Sequence, residues 1–196
     1  PERSSVMNSC VLLVKCLKST TNSSAFAPTR APMIVQIPTS MILLPSKPAG
    51  GPRPTARNKA DKDAKWTTVK EPAGFSGEGA MQALPDADAN NNGEDFADIS
   101  PRLDYKVKFA KAGKYRVWVR GYGKTDSDNS CHVGLDGKAV ETSDRIGDFP
   151  TEEWAWYNDT HDTEPAVIEI KEPGTRTLNL FMREDGFVAH KILLPR

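Results

Sequence analysis

From residue 102 to residue 194, apolar and polar side chains alternate with period two, and few folds accept that pattern over so long a stretch. In Tyr115-Arg116-Val117-Trp118-Val119-Arg120, the residues Tyr115, Val117 and Val119 point one way and Arg116, Trp118 and Arg120 the other. Successive strand residues face opposite sides of a sheet, so the segment reads as a strand with one buried face. Leu103, Tyr105, Val107 and Phe109 repeat the pattern before it, and Leu178, Leu180 and Met182 after it. No long segment carries helical spacing. A succession of such strands predicts an all-β chain built as an antiparallel β-sandwich.

Strands are expected near 102–109, 114–121, 130–135, 154–158, 166–170, 176–182 and 187–194, with an earlier one in Gly77–Leu84. The turns between them have suitable chemistry. Lys111-Ala112-Gly113-Lys114, Asp136-Gly137 and Glu172-Pro173-Gly174 each place Gly where positive φ is expected, and Asp136-Gly137 is the strongest hairpin signal. Asp86 to Asp98 forms a long acidic loop with at most a helical turn at Glu94–Asp98.

The chain divides near residue 60. Residues 1–60 hold eight of the 15 prolines, no Trp or Tyr, and eight Lys and Arg against one acid. This Pro-rich basic segment is expected either to be disordered or to contribute edge strands from Met33–Ile37 and Met41–Leu44. Its apolar run Val11–Val14 is interrupted by Lys15 and Lys18, and no membrane span is expected, since a span needs about 20 apolar residues. Residues 61–196 form the expected sandwich and carry 25 Asp and Glu against 18 Lys and Arg, a net −7. That charge would repel phosphates, so nucleic acid is excluded as a partner. Three cysteines make no disulfide framework, and Cys131, alternating with Val133 and Leu135, reads as a buried free thiol.

The stretch 66–194, about two-thirds of the chain, carries several motifs together. They are Glu71-Pro72-Ala73-Gly74-Phe75-Ser76-Gly77, Ser100-Pro101-Arg102-Leu103-Asp104-Tyr105, and Gly113-Lys114-Tyr115-Arg116-Val117-Trp118-Val119-Arg120. Val133-Gly134-Leu135-Asp136-Gly137, Trp154-Ala155-Trp156 and Leu178 to Gly186 complete the set. With these motifs the chain resembles the galactose-binding-like (jelly-roll) β-sandwich, and within it carbohydrate-binding modules and the C-terminal domain of family 115 glycoside hydrolases. The resemblance implies a polysaccharide or oligosaccharide as partner and a secreted, cell-surface or periplasmic bacterial setting. It also implies an opening Glu-Ala-Glu strand and an Asp in the last strand. This chain has no such segment upstream of Trp66 and carries His190-Lys191 in the last strand, which puts the usual structural calcium in doubt.

The densest aromatic cluster is Trp154, Trp156 and Tyr157. Sugar rings present flat C–H faces that an indole or phenol plate covers. The alternative is that one or both tryptophans fill the core. Arg183, Glu184 and Asp185 precede Gly186 at a turn, where such groups either bind sugar hydroxyls or form an ordinary ion pair. Arg120 and Tyr122 end a strand beside the 124–130 loop and join the candidate binding set. Two arginines near a site would suit an acidic sugar. Asp88, Asn90 and Asn92 match the first six positions of the D-x-[DN]-x-[DN]-G calcium loop, but position twelve is Ile99. A flexible polar loop is the other reading, and no cofactor is required. No nucleophile elbow, zinc motif or phosphate loop is present. Non-catalytic polysaccharide binding is therefore the first expectation, with a structural or adhesion domain, or a small polysaccharide-degrading enzyme, as alternatives.

Overall fold

The computed structural model describes residues 64–196 and, as backbone, Met41–Leu43 and Thr55–Arg57. The expectations for Val11–Val14 and Met33–Ile37 lie outside the described residues. In chain order the elements are β1 (Met41–Leu43), β2 (Thr55–Arg57), β3 (Lys65–Val69), β4 (Ala80–Leu84), the single-turn α1 (Phe96–Ile99), β5 (Arg102–Phe109), β6 (Gly113–Arg116) and β7 (Trp118–Tyr122). They continue with β8 (Cys131–Leu135), β9 (Lys138–Ala139), β10 (Ala155–Tyr157), β11 (Val167–Ile170), β12 (Gly174–Met182) and β13 (Val188–Leu193).

The strands form two main antiparallel sheets, as the alternation requires. One runs β10-β7-β13-β4-β3, with β1 also paired to β13; the other runs β2-β5-β12-β8-β9. The short pair β6–β11 extends from the β7 end, and Val117 N–H joins it by donating to the Ala166 carbonyl at 2.8 Å. Trp66, Met81, Ala83, Val119, Ala189 and Ile192 come from the first sheet; Leu103, Tyr105, Phe109, Val133, Leu178, Leu180 and Met182 come from the second. All share one apolar cluster between the sheets, where burial of about 25 cal/mol per Å² of apolar surface drives association.

The second sheet is covered locally on its outer side as well. Asn179 and Phe181, which alternate with the core residues of β12, are fully buried. The α1 turn explains the burial of Phe181: the Phe96 ring stacks on His132 at 3.8 Å and meets Phe181 edge-on at 5.4 Å. Asn179 is satisfied by accepting from Gly137 N–H (2.7 Å) and donating to Asp104 (2.6 Å). The expected hairpin joins β8 to β9, and both its central residues have positive φ, Asp136 at 54° and Gly137 at 81°. That conformation matches the right-handed strand twist and favours Asp-Gly.

β1 pairs Met41 with Leu193 and Leu43 with Lys191, and β2 pairs Thr55 with Asp104. Among the described residues, the core cluster runs from Ala64 to Leu194. A 61–196 chain is therefore expected to unfold cooperatively, at a lower thermal midpoint than the full chain, as two strands leave their partners. A circular-dichroism melt of both chains checks this; a broad, non-cooperative transition would show that the upstream strands are indispensable.

Candidate functional site

The outer face of the first sheet brings aromatic and cationic side chains together. Cross-strand partners project from the same side of a sheet. Trp156 of β10 pairs with Arg120 of β7, and Arg120 pairs with Lys191 of β13. The three therefore form one row, with Val119 and Ile192 turned to the core. A bulge in β13 between Ala189 and Lys191 adds His190 to that face. An extra residue in one strand breaks the alternation and re-aims a side chain.

Arg120 is the centre of a hydrogen-bonded unit. Its Nη1 donates to His190 Nδ1, and its Nη2 donates to the Gly74 carbonyl at 3.1 Å. Its guanidinium carbon lies 4.8 Å from the centre of the Trp154 ring. Trp154 in turn donates Nε1–H to the Ala73 carbonyl (2.8 Å), and its ring lies 5.5 Å from His190 and 5.6 Å from Tyr122. The segment Ala73–Ser76 thus crosses the face as a strap. Gly74 is required there: its φ is +112°, and a Cβ would come within 2.7 Å of Trp154 Cδ1.

His190 is fully buried, and burial pushes its pKa down to about 4, with the charges of Arg120 and Lys191 acting in the same direction and the Ser76 backbone opposing. Both ring nitrogens face donors, Arg120 at Nδ1 and Ser76 N–H at Nε2 (2.9 Å), while the Ser76 carbonyl and hydroxyl lie 3.3 Å from Nε2. A neutral imidazole offers one lone pair to these donors and an imidazolium none. Arg120 and Lys191 form no ion pair among the described residues. Two cations without an ion-pair partner among the described residues therefore stand on one face of an otherwise acidic domain.

Four of the sequence-derived candidates meet here: Arg120, Tyr122, Trp154 and Trp156. Trp156 is 39% exposed, the one large hydrophobic so exposed among the described residues. Trp154 is half-buried under the strap, so neither indole belongs to the core. Tyr157 does not join them. One residue beyond Trp156 on β10, it turns inward, packs at 5.2 Å from Phe149 and rests against the core.

Arg183, Glu184 and Asp185 are also elsewhere, and they are buried rather than rim groups. Arg183 Nη1 donates to Ser130 Oγ (2.6 Å) and to Glu184 Oε1 (2.5 Å), and Glu184 Oε2 accepts Asn129 N–H (2.9 Å). Asp185 accepts the N–H groups of Ala87 (3.0 Å) and Ala89 (2.9 Å). These side chains lash the 87–91 and 125–130 loops to the β12–β13 connection. The calcium expectation at Asp88, Asn90 and Asn92 does not fit this arrangement. The neighbouring backbone turns donors inward to Asp185, and the Asn90 oxygen is taken by the Asn92 amide at 3.1 Å. One oxygen of the alternating set that a calcium loop would use is thus already engaged within the loop.

Sequence reasoning missed His190, Lys191 and the Ala73–Ser76 strap as parts of the site. The bulge that places His190 and Lys191 on one face leaves no sequence signal, because it depends on β13 pairing with β7.

The outer face of this antiparallel β-sandwich thus combines indole plates with two cations that form no ion pair among the described residues. The chain belongs to the glycosyl hydrolase family 115 C-terminal domain family, whose model matches residues 53–196. This membership gives it a carbohydrate-related role. An uncharacterized protein of Formosa agariphila is 32% identical over 130 residues, covering 58% of this chain and 32% of the relative, so the chain spans about a third of that protein's length. Among solved structures, a family 35 carbohydrate binding module from an environmental isolate is similar, with a TM-score of 0.46, 17% identity, and coverage of 69% of this chain and 85% of the other. The Podospora anserina GH26-CBM35 β-(1,4)-mannanase gives 0.42 at 15% identity, covering 72% of this chain and 27% of the other. A family 35 module from Clostridium thermocellum gives 0.41 at 14%, covering 73% and 98%.

Two predictions follow from the buried polar groups. His132 donates from Nε2 to the Asn91 carbonyl (2.9 Å) and accepts Arg145 N–H at Nδ1 (2.9 Å), and burial lowers its pKa from 6.5 to about 4. The unfolded chain binds the proton more readily, so this stabilisation is present above pH 6.5 and is lost as pH falls toward 4, by about 3 kcal/mol. Urea unfolding across that range should show the loss, and His132→Gln should flatten the slope. Asp185→Ala leaves the Ala87 and Ala89 donors unpaired and is expected to cost about 2–5 kcal/mol by the same assay.

Proposed function

We propose that the chain is a non-catalytic carbohydrate-binding module that holds polysaccharide on the outer face of its first sheet. The observation that carries this reading is Trp156, 39% exposed and placed beside Arg120 on a row of paired strands. An exposed indole is costly in water, and a pyranose C–H face covers it while its hydroxyls stay wet. Arg120 uses Nη1 and Nη2 for one protein bond each, which leaves three of its five donors for sugar oxygens. With Lys191 beside it, the face favours glycans that carry anionic substituents. A secreted or surface-attached setting, with the module tethering its parent protein to polysaccharide, accords with this role.

Among the described residues no paired acid and base stands at the face, and this supports binding rather than cleavage. Glycoside hydrolysis needs two carboxylates flanking one bond. Glu184 and Asp185 are instead buried and committed to Arg183 and to backbone N–H groups.

Affinity electrophoresis of the full chain against neutral, uronate-containing and sulfated polysaccharides tests the reading. Single-site affinity is expected in roughly the millimolar to micromolar range. Trp156→Ala should abolish retardation, a loss of about tenfold or more in affinity. Arg120→Ala and Lys191→Ala should weaken binding to the anionic glycans and reduce its dependence on salt. Retardation unaffected by Trp156→Ala, or none on any glycan, overturns the proposal.

A further inference from the structure

The exposed loop before α1 contains the chain's single Asn-Gly pair, Asn92-Gly93; Asn8, Asn22, Asn58, Asn90, Asn91, Asn129, Asn158 and Asn179 all precede residues with side chains. Both members of the pair are exposed. The Gly93 carbonyl accepts Phe96 N–H at 3.2 Å, but the Gly93 N–H has no hydrogen-bond partner among the described residues. We propose that Asn92 is a site of spontaneous deamidation and isoaspartate formation in the folded protein.

The chemistry needs a peptide nitrogen that is free and unhindered. Gly93 N gives its proton to solvent hydroxide and attacks Asn92 Cγ. The N–Cγ bond forms, the Cγ–Nδ2 bond breaks, and the amide nitrogen leaves as ammonia with a proton from water. One water then opens the cyclic imide at either carbonyl, giving aspartate or isoaspartate. Gly93 has no Cβ to obstruct ring closure, and its N–H is not committed to the fold. Asn91 next door is held differently, with its N–H on the Arg183 carbonyl (2.7 Å) and its amide on Ser100 Oγ (2.9 Å). Its successor, Asn92, also carries a side chain. The reaction is therefore confined to one position.

The product changes the loop. The Asn92 amide now donates to Asn90 Oδ1 at 3.1 Å, and a carboxylate cannot. A new negative charge arises near Asp88, Glu94 and Asp95, and the isoaspartyl form adds a methylene to the backbone beside Asn91, whose carbonyl holds His132.

The test is to age the full chain in mildly alkaline buffer and follow its intact mass, then map the change by peptide mass spectrometry. A gain of about one dalton is expected, located at residue 92 as a mixture of aspartate and isoaspartate. The rate in the folded protein should be within about threefold of that in denatured chain, since an exposed loop leaves the reacting atoms as free as in the unfolded state. Asn92→Gln should remove the gain while leaving the circular-dichroism spectrum unchanged. This variant is preferable to one at Gly93, where a Cβ would come within 2.6 Å of Asp95 Oδ1. No mass gain, a gain at another asparagine, or strong protection in the folded chain overturns the assignment.

Discussion

The strands β7 and β13 each have one face committed to the apolar interior, and that commitment fixes what the opposite face can present. Val119 and Ile192 are fully buried between the sheets, so Arg120 and Lys191 must stand outside on adjoining strands. Trp156 follows, because β10 pairs in register with β7. Sliding β10 by one residue would send Trp156 inward and Tyr157 outward. The aromatic and cationic row is thus placed by core packing and backbone pairing, and the Ala73–Ser76 strap then fixes the Arg120 guanidinium.

The loop end of the sandwich is organised by a different force. Arg183, Glu184 and Asp185 are charged and buried, an arrangement that is unfavourable unless every charge finds partners. Here the partners are Ser130, the backbone of Asn129 and the backbone of Ala87 and Ala89. Removing Arg183 or Glu184 would strand its partner charge in a medium that solvates it poorly, and removing Asp185 would strand two backbone donors. The same three residues that look in sequence like an exposed charged turn are therefore what holds two long acidic loops in place.

The division between what could and could not be read follows the range of the interactions. Period-two alternation is local, so β5, β7, β8, β12 and β13 were legible to within a few residues, as was the Asp136-Gly137 hairpin. The inward turn of Tyr157 was legible in principle from the same alternation that exposes Trp156. The buried state of Arg183–Asp185 was not, because it depends on loops 53 to 98 residues away in sequence folding over the turn. His190 was hidden for a related reason: a bulge exists only relative to its partner strand. The D-x-N-x-N-G motif specifies side chains, whereas the loop's shape is set by the Ala87 and Ala89 N–H groups converging on Asp185, which the motif does not encode.

The two tryptophans on the open face have different physical states, and the difference assigns them different work. Trp154 is fixed by its Nε1 bond to Ala73, by the Arg120 guanidinium and by the closeness of Gly74. Little rotational freedom remains for it to lose, and much of its ring is already covered. Trp156 keeps its exposed ring and its contact with water. A partner that covers Trp156 gains apolar burial, whereas Trp154 serves by holding Arg120 in position. Arg120 is partly desolvated by this packing, which lowers its pKa from the ordinary value and makes the charge more dependent on a partner. A side chain immobilised before binding loses less entropy when the ligand arrives. The strap, His190 and Trp154 therefore act as a frame around one guanidinium, and on the proposed reading that guanidinium and the neighbouring Lys191 would set which glycans the face selects.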